Sequence, residues 1–237
     1  MKAISFFLLW AGRLAWASAL ALVPTTGLAA ADALSANPDD LAPLQLKLPA
    51  ADPVSTPKNA PAGTTIEPTP KPQPPLLIPK DTGNVAPGKK ITCSDKNVTA
   101  SELAKLTDGD KEADGSSIVL LHKGLQWVQF DLGLPREIFA VVIWHAHDSP
   151  KVYRSVIVQA ADDQDFTENV RTLFSNDRDN SAGLGVGADR QYFESYRGRI
   201  IDAKGARARY LRLYSNGSTE SPLNEYTEVE IYARPSK

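Results

Sequence analysis

The sequence predicts an all-β fold over residues 84–237, an antiparallel β-sandwich of jelly-roll type. Three observations predict it. Short apolar runs recur between Gly, Asp, Asn and Pro clusters. Successive runs are joined by connections too short for a βαβ crossover. A single convincing helix interrupts them, so the strands must bury their apolar faces against one another. The organising stretch is Trp127-Val128-Gln129-Phe130-Asp131-Leu132-Gly133. Val128, Phe130 and Leu132 share one face of a period-two strand, and Gln129 and Asp131 share the other. Gly133 and Pro135 are expected to stop this strand, because Gly permits positive φ and Pro removes a ladder donor.

The other elements follow in order. The remaining strand-like runs are Lys90–Cys93, Ile138–Trp144, Ser155–Ala160, Arg199–Ile201, Arg209–Tyr214 and Glu228–Tyr232. Thr99–Leu106 reads as the helix, capped by Thr99 or Ser101, with Leu103 and Leu106 packing inward. The 154 residues from Asn84 suffice for one hydrophobic core. No repeat of solenoid or propeller period is present.

Ahead of this unit stand two segments of different character. Residues 1–31 read as a secretory signal peptide: Lys2 opens it, Phe6 to Val23 is mostly apolar, and Ala29-Ala30-Ala31 offers a cleavage site. An uncleaved membrane anchor is the rival, weakened by Arg13, which interrupts the roughly 20 apolar residues a span requires. Residues 32–83 carry twelve of the chain's 18 prolines and no apolar period. They read as a disordered, PPII-biased linker without a core of its own, either a spacer or a plain leader. The protein is therefore expected to be exported: periplasmic, cell-surface or secreted.

Charge and cysteine content narrow the functional classes. Cleavage removes Lys2 and Arg13 and leaves 24 basic and 28 acidic residues, a net −4. That balance gives no general attraction to nucleic acid or anionic membrane. Cys93 is the only cysteine, so no intrachain disulfide forms, and its phase with Ile91 reads as a small buried side chain rather than a reactive thiol. Asn97-Val98-Thr99 and Asn216-Gly217-Ser218 are sequons, relevant only in a host that glycosylates them.

Seven pieces in a fixed order resemble the discoidin domain, also called the coagulation-factor type C domain, a galactose-binding-like β-sandwich. Asn84-Val85-Ala86-Pro87-Gly88-Lys89 opens the domain, and Leu106-Thr107-Asp108-Gly109-Asp110 follows the helix. The Trp127 stretch, Val141–Trp144, Val156–Asp163, Ala208–Tyr214 and Glu228–Tyr232 complete the series. The resemblance implies a non-catalytic module that binds sugars, phospholipids or proteins through loops at one end of the sandwich. It does not choose the ligand.

It also implies a structural calcium. In the resembling proteins an acidic turn such as Asp108-Gly109-Asp110 pairs with an acidic residue starting the last strand, here Glu228, with Thr227 before it and Lys105 as a carbonyl donor. These residues offer the oxygen set that calcium takes. Ala113 stands where a hydroxyl residue is usual, so that ligand is absent or is replaced by Asp114 or Ser116. The bland reading is an ordinary Asp-Gly surface turn.

For the ligand site, His145, His147 and Asp148 follow a strand directly, with Tyr153 and Arg154 close behind. Imidazoles and carboxylates bond sugar hydroxyls, and Tyr153 offers a stacking face. The competing reading is a turn whose histidines pack locally. A His-x-His metal site lacks a third ligand. Ser175–Arg190 is a long insert: a wall of the binding face, an interaction epitope or a mobile surface loop; its glycines do not lie in a βαβ unit, which excludes nucleotide binding. Arg197, Arg199, Lys204, Arg207, Arg209 and Arg212 form a basic cluster that favours an acidic polysaccharide or is simply balanced by acidic neighbours. No Gly-x-Ser-x-Gly elbow, His-Glu-x-x-His pair or separated carboxylate pair marks an enzyme. The sequence thus leads to a glycan-binding module for a cell-surface polysaccharide. The alternative is a protein-interaction module that docks an envelope protein or partner enzyme.

Overall fold

The computed structural model describes residues 40–51 and 74–235. Residues 1–31, read above as a signal peptide, and residues 32–39 and 52–73 of the proline-rich stretch lie outside the described residues. Among the described residues there are ten strands: β1 (Leu41–Pro43), β2 (Leu77–Pro79), β3 (Gly83–Asn84), β4 (Lys90–Cys93), β5 (Val119–Leu121), β6 (Gln126–His145), β7 (Ile157–Ala161), β8 (Arg171–Ser175), β9 (Arg199–Ser215) and β10 (Asn224–Pro235). One short helix, α1 (Ala100–Leu103), runs into a 3-10 turn, Ala104–Thr107. Thr99 caps α1 with a reciprocal capping box: its Oγ1 accepts from Glu102 N–H and Glu102 Oε2 accepts from Thr99 N–H.

Every strand pair is antiparallel, and two long strands belong to both layers. In the first layer β4 and the second half of β9 flank the first half of β6, and β7 and β8 extend beyond β9. In the second layer β10 and the first half of β9 flank the second half of β6, with β3 and β5 on β10. The inner faces close on one core. Val128, Phe130 and Leu132 of the first half of β6 meet Val141 and Ile143 of its second half, with Leu211, Val229 and Ile231, all fully buried. Each such side chain contributes about 1.5–3 kcal/mol by leaving water. Leu103 and Leu106 plug the same core. The fold is the antiparallel jelly-roll β-sandwich that the resemblance implies.

Gly133 and Pro135 do not stop the strand. β6 continues through them, and its ladder to β9 is interrupted between Asp131 and Arg136 and shifts register again between Ile138 and Ala140. Gly133 takes φ +81° and Asp131 Oδ1 accepts its N–H at 2.8 Å. The two residues bend the strand from one layer into the other, at the gap where a missing donor costs no ladder bond.

The linker reading also needs revision over its described parts. β1 and β2 pair with each other, and Leu44 and Ile78 are buried against Ala140, Val142 and Trp144 on the outer face of the second layer. Leu46, Leu76, Phe139 and Tyr232 pack around them. Prolines are tolerated because both strands are three residues long, with Pro43 and Pro79 at their ends. The folded unit therefore begins ahead of Asn84. Cys93 is half-buried, its thiol donates to the Asp95 carbonyl at 3.1 Å, and burial pushes its pKa up, as packing rather than reactivity requires. Among the described residues no helix is long and apolar enough to cross a membrane.

Candidate functional site

Three loops gather at one end of the sandwich: 146–156 after β6, 176–198 after β8 and 216–223 after β9. They are tied by backbone bonds. Arg154 N–H donates to the Gly217 carbonyl and Asn216 N–H to the Arg154 carbonyl, both at 2.9 Å; Asn176 N–H donates to Val156 and Glu194 N–H to Lys151. The long insert folds back on itself: Gly187 N–H bonds the Asp177 carbonyl at 2.8 Å and Asp189 N–H bonds Ser175. At Gly187 a Cβ would lie 2.3 Å from the Ser175 carbonyl oxygen, so this close approach needs glycine.

Between these loops lies a cleft of about 280 Å³ lined by polar side chains, among them Arg154, Asn176, Asp177, Asp179, Gln191 and Asn216. Two of them are anchored from below. Asp177 is buried; its Oδ1 accepts from Ser155 Oγ and from Ser181 N–H and Oγ, and its Oδ2 from Ala182 N–H. Asn176 is 2% exposed, and its Oδ1 accepts from Val156 N–H at 2.8 Å. That bond fixes which end of the amide is oxygen and leaves its Nδ2 buried without a partner. Arg154 is exposed, held only through its backbone. A guanidinium, an amide donor and carboxylates on a fixed frame match adjacent hydroxyls that both donate and accept.

The residues expected at the ligand site divide. Arg154 lines the cleft, and Asp148 is exposed but bonds Lys151 Nζ at 2.8 Å. His145, His147 and Tyr153 are buried, which corrects their reading as ligand contacts. His145 stacks on Tyr153 at 4.3 Å and tilts against Tyr226 at 4.6 Å, while its Nδ1 lies 2.6 Å from Glu194 Oε1. Tyr153 O–H donates to Glu225 Oε2 at 2.8 Å, and burial drives its pKa well above the phenol range. His147 Nε2 lies 3.0 Å from the Lys111 carbonyl oxygen. Ala146 between the two histidines is buried as well, so the chain past the end of β6 runs through the interior rather than along a solvated rim. Their partners come from 49 residues later and 36 residues earlier, where local sequence gives no sign of them. Asn176, Asp177, Asp179, Gln191 and Asn216 were not singled out as contacts; the only signal was the Asn/Asp density of the insert and Asn216 within a sequon.

The residues expected to hold calcium lie around the 3-10 turn and β10. Glu228 sits within β10, just past a bulge at Thr227, rather than at the strand's start. It is 1% exposed and its Oε2 accepts from Gly109 N–H at 3.2 Å. Burial lifts its pKa to about 8; Glu230 and Asp108 push it the same way, against the Gly109 bond and Lys111. The bulge takes Thr227 out of ladder register, while its Oγ1 donates to the Trp144 carbonyl at 3.2 Å. Asp108 and Asp110 are exposed, each accepting one backbone N–H within the turn. Lys105 lies in the 3-10 turn, whose last carbonyls lack helical partners. Asp114 Oδ1 accepts from Ser116 and Ser117, which holds the 114–117 turn. Among the described residues no group of three or more His, Cys, Asp or Glu side chains is placed to hold a metal. The residues nearest to such a set are Glu228 and the Asp108 turn, linked by the Gly109 N–H bond to Glu228.

No protein-family model matches the chain, and no curated protein sequence matches it. Solved structures do resemble it. A family 89 glycoside hydrolase from Clostridium perfringens gives a TM-score of 0.46 at 18% identity, over 65% of this chain and 15% of the hydrolase. A Streptococcus pneumoniae fucose binding module gives 0.44 at 16% identity, over 64% of this chain and 98% of the module. The CBM32 of AlyQ, in complex with 4,5-unsaturated mannuronic acid, gives 0.40 at 22% identity, over 60% and 92%. The chain thus spans a small part of the hydrolase and nearly all of the two modules. These TM-scores are below 0.5, and the fold assignment rests on strand order and the shared core described above. That fold defines a jelly-roll β-sandwich with a loop-built polar cleft at one end.

Proposed function

We propose that this chain is an exported, non-catalytic glycan-binding module whose ligand occupies the cleft at the loop end. The observation that carries the reading is the unpartnered, buried Nδ2 of Asn176 beside the exposed guanidinium of Arg154. A buried donor without an acceptor is costly unless a ligand completes it. The cleft suits a terminal sugar unit rather than a ligand enclosed on all sides. The ligand is a cell-surface or envelope polysaccharide, consistent with the signal peptide read from residues 1–31. Calcium is proposed as a structural ion bridging Glu228 and the Asp108 turn, supported by the buried carboxylate there; it would brace the turn and take no part in ligand chemistry.

The test is a glycan array on the full chain followed by calorimetric titration of the best ligand. Arg154→Ala is expected to weaken binding by about 10- to 100-fold, the loss of hydrogen bonds to a charged group. Its urea midpoint should stay unchanged, because Arg154 is held by its backbone. Wild-type affinity in Arg154→Ala would refute the site. One observation favours docking of an envelope protein instead: Val186 is 74% exposed and Leu184 38% exposed on the insert. A double change of these two to Ser should leave glycan binding intact; loss of a protein partner with no glycan hit would favour docking.

A further inference from the structure

A second cleft lies on the outer face of the first layer and shares no residue with the loop-end cleft. Alternate residues of β4, β6 and β9 point away from the core there, and with Gln164 and Asp165 of the 162–169 loop they enclose about 240 Å³. The loop is fixed by Asp163, whose carboxylate accepts the backbone N–H groups of Asp165, Thr167 and Glu168 and the Thr167 hydroxyl.

At the centre is Arg212. Its guanidinium is held between two rings, 4.5 Å from the centroid of Trp127 and 4.1 Å from that of Phe166. Its Nε donates to Gln129 Oε1 at 2.7 Å, NH2 to the Gln164 carbonyl at 3.1 Å and NH1 to Tyr214 OH at 3.3 Å. All three acceptors are uncharged, and a guanidinium carries five N–H groups, so two remain for another partner. Arg209 makes the contrast on the same strand: it holds Asp131 bidentately at 2.8 and 2.8 Å and lowers that carboxyl's pKa. Asp131 is thereby neutralised, leaving Lys90, directly opposite it on β4, as a second cation at the cleft. Asp165, exposed on the loop, supplies an acceptor for a hydroxyl.

A half-buried indole, planar amides and a clamped cation lacking a counter-ion suit one ligand chemistry. The ring carbons of a pyranose lie on the indole, its hydroxyls meet the amides, and a carboxylate meets the guanidinium, the charge-assisted pair with the most directional geometry. We propose that this sheet face is a second glycan-binding site, independent of the loop end, and that it takes an acidic sugar: a uronate unit of a polysaccharide.

The test titrates the full chain with short oligogalacturonates and oligomannuronates and with their neutral galactose and mannose counterparts, by calorimetry and tryptophan emission. Uronates should bind saturably and change the emission of Trp127. Neutral oligomers should bind about tenfold more weakly or not at all, and uronate affinity should fall as salt rises. Arg212→Gln should cost more than about tenfold. Lys90→Ala alters an exposed edge-strand side chain, so the fold survives even if Arg212→Gln does not, and it should cost about two- to fivefold. Arg154→Ala should leave uronate affinity unchanged. Equal binding of neutral oligomers, no saturable uronate binding, an unaltered affinity in Lys90→Ala, or loss in Arg154→Ala alone would each overturn the proposal.

Discussion

Replacing Glu228 by Gln in the metal-stripped chain should remove a pH-dependent penalty on folding. Folding carries this carboxyl from its ordinary 4.5 to about 8, chiefly through burial. A carboxylate with a raised folded pKa holds its proton more tightly in the native state, so ionising it opposes folding. The penalty is absent below about 4.5, grows as pH rises towards 8 and is complete above that. At 1.36 kcal/mol per pKa step the span from 4.5 to about 8 amounts to about 5 kcal/mol, and to about 3 kcal/mol at pH 7. Both are ceilings, because a partly compact unfolded chain shares some of the burial. Gln keeps a carbonyl oxygen for Gly109 N–H and has no proton to lose. Urea denaturation in chelator at pH 5, 7 and 8.5 should therefore show the wild type losing stability relative to Glu228→Gln by several kcal/mol. Calcium at pH 8.5 should restore the wild type, since a cation stabilises the ionised form, and leave the variant unmoved. Parallel pH profiles of the two proteins would refute the burial argument. An absent calcium effect, with the profiles diverging, would refute only the metal.

Two further changes test the packing that supports these sites. Gly198 has φ +65° and its Cβ would lie 2.6 Å from the Trp144 indole, whose Nε1 donates to the Tyr196 carbonyl at 3.0 Å. Gly198→Ala should cost about 2–4 kcal/mol of overpacking and left-handed strain in urea denaturation; a loss below about 1 kcal/mol would count against the contact. Ile78→Ala, at the buried centre of the β1–β2 pair, should cost about 2 kcal/mol and speed proteolysis of residues 40–51. Unchanged stability and cleavage would show that the pair does not cover the sheet.

The sequence made the core legible and the surface largely illegible, for physical reasons that particular residues show. Val128, Phe130 and Leu132 announce their burial by alternation, because the strand repeat is local. Thr99 and Glu102 announce the helix start, because a capping box spans only four residues. β1 and β2 gave no such signal: Leu44 and Ile78 acquire a face only when the two strands pair across 33 intervening residues and meet Trp144, which lies farther along the chain. β6 was read as two strands, because Gly133 and Pro135 look the same locally whether they end a strand or bend it. The seven ordered motifs carried the fold where single patterns did not. For the cleft, Arg154 and the insert were in view, but which of the insert's polar residues face solvent depends on contacts with Val156 and Ser155 that no local pattern encodes.

The same reasoning explains why the histidines misled. A polar residue near a binding loop either touches the ligand or holds the loop that does, and its type alone does not separate the two. His145, Tyr153 and Glu194 hold: each is buried, and their contacts tie the end of β6 to the 146–156 and 176–198 loops. Such a brace contributes to binding without a contact, because loops already fixed lose less conformational freedom when a ligand arrives. The division of labour is visible in the arginines too. Arg209 is balanced by a carboxylate within the fold, whereas Arg154 and Arg212 are positioned by neutral groups or backbone and keep donors to spare. At the two proposed sites the arginine that would meet a sugar is held without a carboxylate, whereas the histidines of the loop end lie inside its frame.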